Sequence, residues 1–129
     1  MAYATQSLEM ATQTDSRKHI ARAQRLQGEI LAAIGRLDDS AHTLEASIRL
    51  AERLQTPREV WLGKAVLGTV LARLGREKDA EANYVQATHT IEAIADNLTT
   101  PRLRRSFLGA EPVVDIYRTL GRRPPPAMP

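Results

Sequence analysis

The sequence predicts an all-α fold, a stack of about six to seven antiparallel helices arranged in repeated pairs. Three observations carry this expectation. The chain resembles itself when shifted by forty residues, its apolar residues recur at helical spacing, and Gly, Pro and N-cap residues punctuate the ends of the resulting segments. Under that shift Gly28, Leu31, Ala32, Gly35, Arg36, Asp39 and Glu52 fall on Gly68, Leu71, Ala72, Gly75, Arg76, Asp79 and Glu92. Conservative pairs fill the gaps, among them Ile30 with Val70, Ile34 with Leu74 and Leu44 with Tyr84. The same offset places Ser7, Met10 and Ala11 on Ser47, Leu50 and Ala51, so the chain is expected to open inside a repeat.

Taken in order, the first element is a partial second helix at about 2 to 13. A first helix follows at about 16 to 34, apolar over a wide arc from Ile20 to Ile34, as a helix packed on two sides requires. Gly35 ends it, where a left-handed residue closes the last turn. The helix near 37 to 54 carries Leu37, Ala41, Leu44, Ile48, Ala51 and Leu54 in one stripe, with Asp38 and Asp39 placed where acids favour the helix dipole. Thr56-Pro57-Arg58-Glu59 combines a capping box with Pro at the first helical position and opens a helix at 57 to 74, ended by Gly75. In the next, at 77 to 98, Ala80, Tyr84, Ala87, Ile91, Ile94 and Leu98 alternate steps of four and three, with Glu77 and Asp79 in its first turn. Thr100-Pro101 starts a short helix at 101 to 108. A last one, at 111 to 120, carries Val113, Ile116, Tyr117 and Leu120 and stops at Gly121. Residues 122 to 129, Arg-Arg-Pro-Pro-Pro-Ala-Met-Pro, cannot continue a helix and are expected to form an extended, disordered tail beyond a repeat domain at 1 to 121.

Composition narrows the function classes. Hydrophobic residues at 43% and charged residues at 26% describe a globular chain and not a disordered one. No cysteine is present, which removes disulfides, thiolate metal sites and thiol nucleophiles and fits a reducing compartment. No apolar run approaches the roughly 18 residues that span a bilayer, and the polar N-terminus lacks the apolar core of a signal peptide. The expected location is the cytoplasm, and Asn97-Leu98-Thr99 therefore carries no weight as a glycosylation acceptor. Residues 1 to 100 hold 12 basic and 13 acidic side chains (net −1), and residues 101 to 129 hold 6 and 2 (net +4), so the basicity belongs to the C-terminal end.

These residues resemble the tetratricopeptide repeat, a pair of antiparallel helices with small residues where the helices cross. Counting from Ala21, the pattern of that family is met by Gly28, Leu31, Gly35, Ser40, Leu44 and Ser47; counting from Trp61, by Gly68, Leu71, Gly75, Ala80, Tyr84 and Ala87. The unit is forty residues long where about thirty-four is usual, and the family's Trp and Tyr of the first helix are absent. Longer second helices of this kind are similar to the C-terminal helical tails of bacterial regulators such as signal-transducing ATPases and nucleotide cyclases. The resemblance covers about residues 4 to 120 and implies a right-handed α-α superhelix serving as a non-catalytic protein-interaction module, without a cofactor.

The resemblance also implies where a partner peptide or protein would lie, on the concave wall formed by the first helix of each pair. The corresponding positions are Arg22, Arg25, Glu29 and Ala33 in one repeat and Leu62, Ala65, Thr69 and Arg73 in the next. An ordinary solvated face is the competing reading. The peptide-carboxylate grip of the chaperone-binding members is not expected, because its positions hold Arg25, Glu29, Leu26, Leu62 and Val66, leaving one cation opposed by an acid. Arg102 and Arg105, within a basic end completed by Arg104, Arg118, Arg122 and Arg123, are candidate contacts to phosphates or an acidic surface. No aromatic platform is interleaved with them, which weighs against nucleic acid.

His19, His42 and His89 lack the paired spacing of a metal site, and Gly63-Lys64 lacks the rest of a phosphate loop. Gly63, aligned with Ala23, is expected to permit close helix packing. Trp61 has two readings, a plug against the previous repeat or an exposed hot spot. No nucleophile, base and electrophile occur together, so no enzyme is expected. The alternative to a peptide groove is assembly: an unpaired opening segment carrying Leu8 and Met10 would leave an apolar face for a second copy, giving a homodimer.

Overall fold

The computed structural model describes the backbone of residues 2 to 126 and the side chains of residues 16 to 126. The described residues form six helices and no strand: α1 Ala2–Ala33, α2 Leu37–Arg53, α3 Pro57–Arg73, α4 Glu77–Asp96, α5 Pro101–Leu108 and α6 Glu111–Thr119. Residues 122 to 126 carry no regular secondary structure, and residues 127 to 129 of the expected tail lie outside the described residues. No helix among the described residues is long and apolar enough to cross a membrane.

The ends of α1, α3 and α6 share one turn. Gly35, Gly75 and Gly121 adopt φ of 86°, 81° and 69°. The next residue's N–H then reaches back into the helix, Arg36 to the Leu31 carbonyl at 2.9 Å, Arg76 to Leu71 at 2.9 Å and Arg122 to Tyr117 at 2.8 Å, satisfying carbonyls that the helix end would leave open. The turn after α2 is built the same way, Thr56 N–H to the Ala51 carbonyl at 3.0 Å, but with Gln55 at φ 55° in place of glycine.

Turns this short make neighbouring helices antiparallel, and two serines record the register. Ser40 Oγ donates to the Gly28 carbonyl at 2.6 Å and Ser47 Oγ to the Ala21 carbonyl at 2.7 Å, so a step forward along α2 is matched by an equal step back along α1. The glycines at the crossings let the backbones approach. A Cβ on Gly28 would lie 2.6 Å from the Leu44 side chain, and one on Gly68 would lie 2.8 Å from Tyr84 Cε1. Gly28 meets Leu44 as Gly68 meets Tyr84, so the forty-residue self-similarity is a repeated contact. Gly63 serves the α2–α3 crossing, where its Cβ would meet Ile48 Cγ1 at 2.8 Å, as close packing requires.

The core runs through the stack from Ala32, Leu44 and Ile48 to Leu67, Val70, Leu71, Tyr84 and Ile91, and ends on Leu108, Val113, Ile116 and Tyr117 of the two short helices. Each fully buried Leu, Val or Ile in it contributes on the order of 1.5–3 kcal/mol.

Two expectations are corrected and one open reading is decided. The separate helices at 2 to 13 and 16 to 34 are one continuous α1; Thr14, Asp15 and Ser16 include neither Gly nor Pro, and nothing in that stretch forbids helix. The capping box does not form: Thr56 Oγ1 donates to the Ala51 carbonyl at 3.1 Å, and Glu59 faces arginines of α1. Trp61 does not stand exposed: it is 2% exposed, lies in one core cluster with Leu44 and Ile48 of the previous repeat, and its ring is edge-on to Phe107 of α5 with centroids 6.1 Å apart.

Candidate functional site

A cleft of about 360 Å³ opens between α1, α3 and α6. Arg25 and Glu29 come from α1, Leu62, Ala65, Val66 and Thr69 from α3, Tyr84 from α4, and Pro112, Asp115, Ile116 and Thr119 from α6. Its floor is apolar, formed by Leu62, Ala65, Val66 and Ile116, and its rim carries the charged and hydroxyl groups.

Arg25 is held from two sides, its Nε donating to Glu59 Oε1 at 3.3 Å and its Nη1 to Glu29 Oε2 at 3.2 Å. The Glu59 side chain is 8% exposed, and Arg22 Nε approaches its other oxygen at 3.8 Å. The turn at Gln55 and the proline at Pro57, which fix the start of α3, thus aim a carboxylate at two arginines one helical turn apart on α1. Most of the charge on Arg25 is spent inside the protein. Across the cleft, Thr69 Oγ1 and Tyr84 Oη lie 2.9 Å apart, and Asp115 accepts from Arg118 Nη1 at 2.9 Å.

Five of the residues placed on a groove by repeat position, Arg25, Glu29, Leu62, Ala65 and Thr69, are brought together here. Three are not. Arg22 borders a separate small cleft with Lys18, His19, Thr56, Arg58 and Glu59. Arg73 turns back, its Nη1 donating to the Ala32 carbonyl at 3.1 Å, where it satisfies the end of α1. Ala33 is the exposed last residue of α1 and does not line the cleft. The wall from α6 is absent from the sequence expectation because the spacing of Val113, Ile116, Tyr117 and Leu120 marks only the apolar face of that helix. Its other residues, Pro112, Asp115 and Thr119, follow helical spacing too and were legible as a second face.

At the basic end, Arg102 and Arg105 are exposed on α5. Arg104 points inward, donating to the Ala95 carbonyl at 2.7 Å and lying 3.5 Å from Asp96, so it closes the C-terminus of α4. Asp39 and Asp79 pair with Arg36 and Arg76 three residues earlier, a repeated surface pair beside the helix starts. His19, His42 and His89 are exposed, and among the described residues no three His, Cys, Asp or Glu side chains are grouped so that they could hold a metal ion. Leu8 and Met10 lie outside the described side chains.

Compared with protein-family models, curated proteins and solved structures, the chain matches none significantly.

Proposed function

We propose that the chain is a non-catalytic protein-interaction module, a tetratricopeptide-like array of helix pairs wound as a right-handed superhelix, that holds a peptide or protein segment in the cleft between α1, α3 and α6. One observation carries the reading: five residues assigned to a groove by repeat position alone line a single cleft with an apolar floor and a polar rim. By the resemblance of its repeats, the module belongs to the helical tail of a cytoplasmic bacterial regulator.

The cleft also indicates the segment it suits. Its volume is at the low end for ligand pockets, enough for an anchoring side chain and its neighbours and not for a folded partner. Arg25 is already opposed by Glu29 and Glu59, and Asp115 is paired with Arg118, so the charges of the rim are matched within the protein and the fitting segment presents an apolar anchor.

Arg25 and Arg73 both hold the fold together, so the sharper probe is Leu62 on the cleft floor. Peptides selected from a displayed library on the wild-type chain are expected to bind Leu62→Glu at least about tenfold more weakly, a loss of about 1.4 kcal/mol. An Arg102→Glu, Arg105→Glu control is expected to bind them unchanged. Selected peptides that bind Leu62→Glu as tightly as wild type would remove the cleft from consideration.

A second reading, self-association, is favoured by a different observation. α1 and the residue that follows it expose Ile20, Leu26, Ile30 and Ile34, each between 47% and 64%, and these are four of the five large exposed hydrophobic side chains among the described residues.

A further inference from the structure

We infer that the exposed stripe of α1, from Ile20 to Leu26, is covered by the first part of α1 from a second copy of this chain, the two α1 helices running antiparallel about a two-fold axis near Asp15 and Ser16. The inference rests on the self-association reading and is independent of the cleft, with which the stripe shares no residue.

The repeat itself shows what this stripe is for. Ile20, Ala23 and Ile30 of α1 are the equivalents of Val60, Gly63 and Val70 of α3, and Ile34 and Leu74, just past the two helices, correspond likewise. In α3 that face is covered: Val60 is 8% exposed, Val70 1%, and Gly63 lies under Ile48 of α2. Ile20 and Ile30 are instead 50% and 62% exposed, and Ala23 is exposed as well. The stripe therefore has the composition of a surface that takes an α2-type helix, with no such helix on it.

The chain holds one further segment of α2 type. Ser7, Met10 and Ala11 align with Ser47, Leu50 and Ala51, and in α2 Leu50 and Ala51 cluster with Val60, the counterpart of Ile20. For that segment to cover its own stripe, the chain would have to turn where α2 turns into α3, at Leu54, Gln55 and Thr56, with Gln55 in the left-handed conformation. Their counterparts Thr14, Asp15 and Ser16 lie inside the continuous α1, which carries the segment away from the stripe on the same helix.

A second copy resolves this. The α2–α3 contact of Ile48 with Gly63 and the clustering of Ala51 with Val60 become residues 8 and 11 of one copy against residues 23 and 20 of the other, and exchange of the copies gives the same pairs, so the arrangement closes as a dimer over the stripe from Ile20 to Leu26. Charge agrees: residues 1 to 15 carry Glu9 and Asp15 and no Lys or Arg, whereas residues 16 to 24 carry Arg17, Lys18 and Arg22 and no acid.

Light scattering across a range of concentrations is expected to give twice the 14.3 kDa chain mass, and Ile20→Glu is expected to give the single-chain mass with an unchanged helical circular-dichroism spectrum. A wild-type monomer at all concentrations would overturn both self-association and this interface; a dimer that survives Ile20→Glu would overturn this interface alone. The register is read by cysteine pairing, since the chain has no cysteine of its own. Mixed Leu8→Cys and Ala23→Cys chains are expected to form a disulfide between copies under mild oxidation. Failure of that mixture to cross-link, together with ready closure of the double variant as a monomer, would show that the segment folds back on its own helix and would sink the proposal.

Discussion

Gln55 stands in the left-handed region at φ 55°, where its three counterparts at the other turns of this kind are glycines. A side chain in that conformation costs roughly 1–2 kcal/mol relative to the right-handed region, and glycine removes the penalty while adding backbone freedom to the unfolded chain. Gln55→Gly is therefore expected to stabilise the fold by about 0.5–1 kcal/mol, read as a higher urea midpoint at constant slope. An unchanged or lower midpoint would mean that the turn is held by its neighbours with no strain at Gln55. Tyr117 gives a pH-dependent test. Its hydroxyl donates to Glu92 Oε2 at 2.7 Å. Burial first, and then the hydrogen bond to Glu92 and its charge, hold the phenol well above its ordinary value of 10.0, with Arg122 pulling the other way. Below pH 10.0 folded and unfolded chains both keep this proton, and the stabilisation is complete. Above it the unfolded chain releases a proton that the folded chain retains, so stability falls as pH rises. Tyr117→Phe is expected to cost about 1 kcal/mol at neutral pH and to make the alkaline fall shallower. Urea titrations of both chains from neutral pH upward check this, and parallel alkaline slopes would exonerate Tyr117.

At the scale of the helix, the decisive choices are small residues at crossings. Gly68 sits in mid-helix, where it costs about 1 kcal/mol of propensity relative to Ala, yet a methyl group there would press on the ring of Tyr84 at 2.8 to 3.1 Å. Overpacking of this kind costs roughly 1–3 kcal/mol. Gly68→Ala is thus expected to destabilise by up to about 2 kcal/mol despite its better helix propensity, and a more stable variant by thermal melting would mean that the α3–α4 crossing has slack. Ser40 and Ser47 show the converse. Their hydroxyls donate to carbonyls of α1, whereas the equivalent Ala80 and Ala87 of α4 pack on α3 with no polar group at all. What the crossing selects is size, and polarity is secondary.

Across the whole molecule, one core joins the two repeats to the short C-terminal helices. Trp61 reaching Phe107 and the aromatic and aliphatic face of α6 close its far end. The near end, on α1, stays open. Two surfaces with different chemistry result: a small apolar cleft with a charge-paired rim, closed on one side by α6, and a broad aliphatic stripe on α1. The occupants we propose for them differ, a peptide segment and a second copy.

The helices were legible in the sequence because their signals are local. Apolar spacing, the glycines after α1, α3 and α6 and the prolines opening α3 and α5 placed the ends of the later helices within about two residues. The forty-residue repeat also marked which glycines face a large residue, since a contact that recurs at the same offset leaves the same trace twice. The sequence did not determine where charge and aromatic groups finally point. Whether Glu59 caps its own helix or meets Arg25, whether Arg73 faces a groove or the end of α1, and whether Trp61 is buried or exposed depend on which helix crosses which, and at what distance. Those are non-local quantities, decided only when the stack has formed. The break expected before residue 16 belongs to the same class: Asp15 and Ser16 suit both a turn and a helix, and the choice between them rests on whether something covers the stripe that the turn would bury.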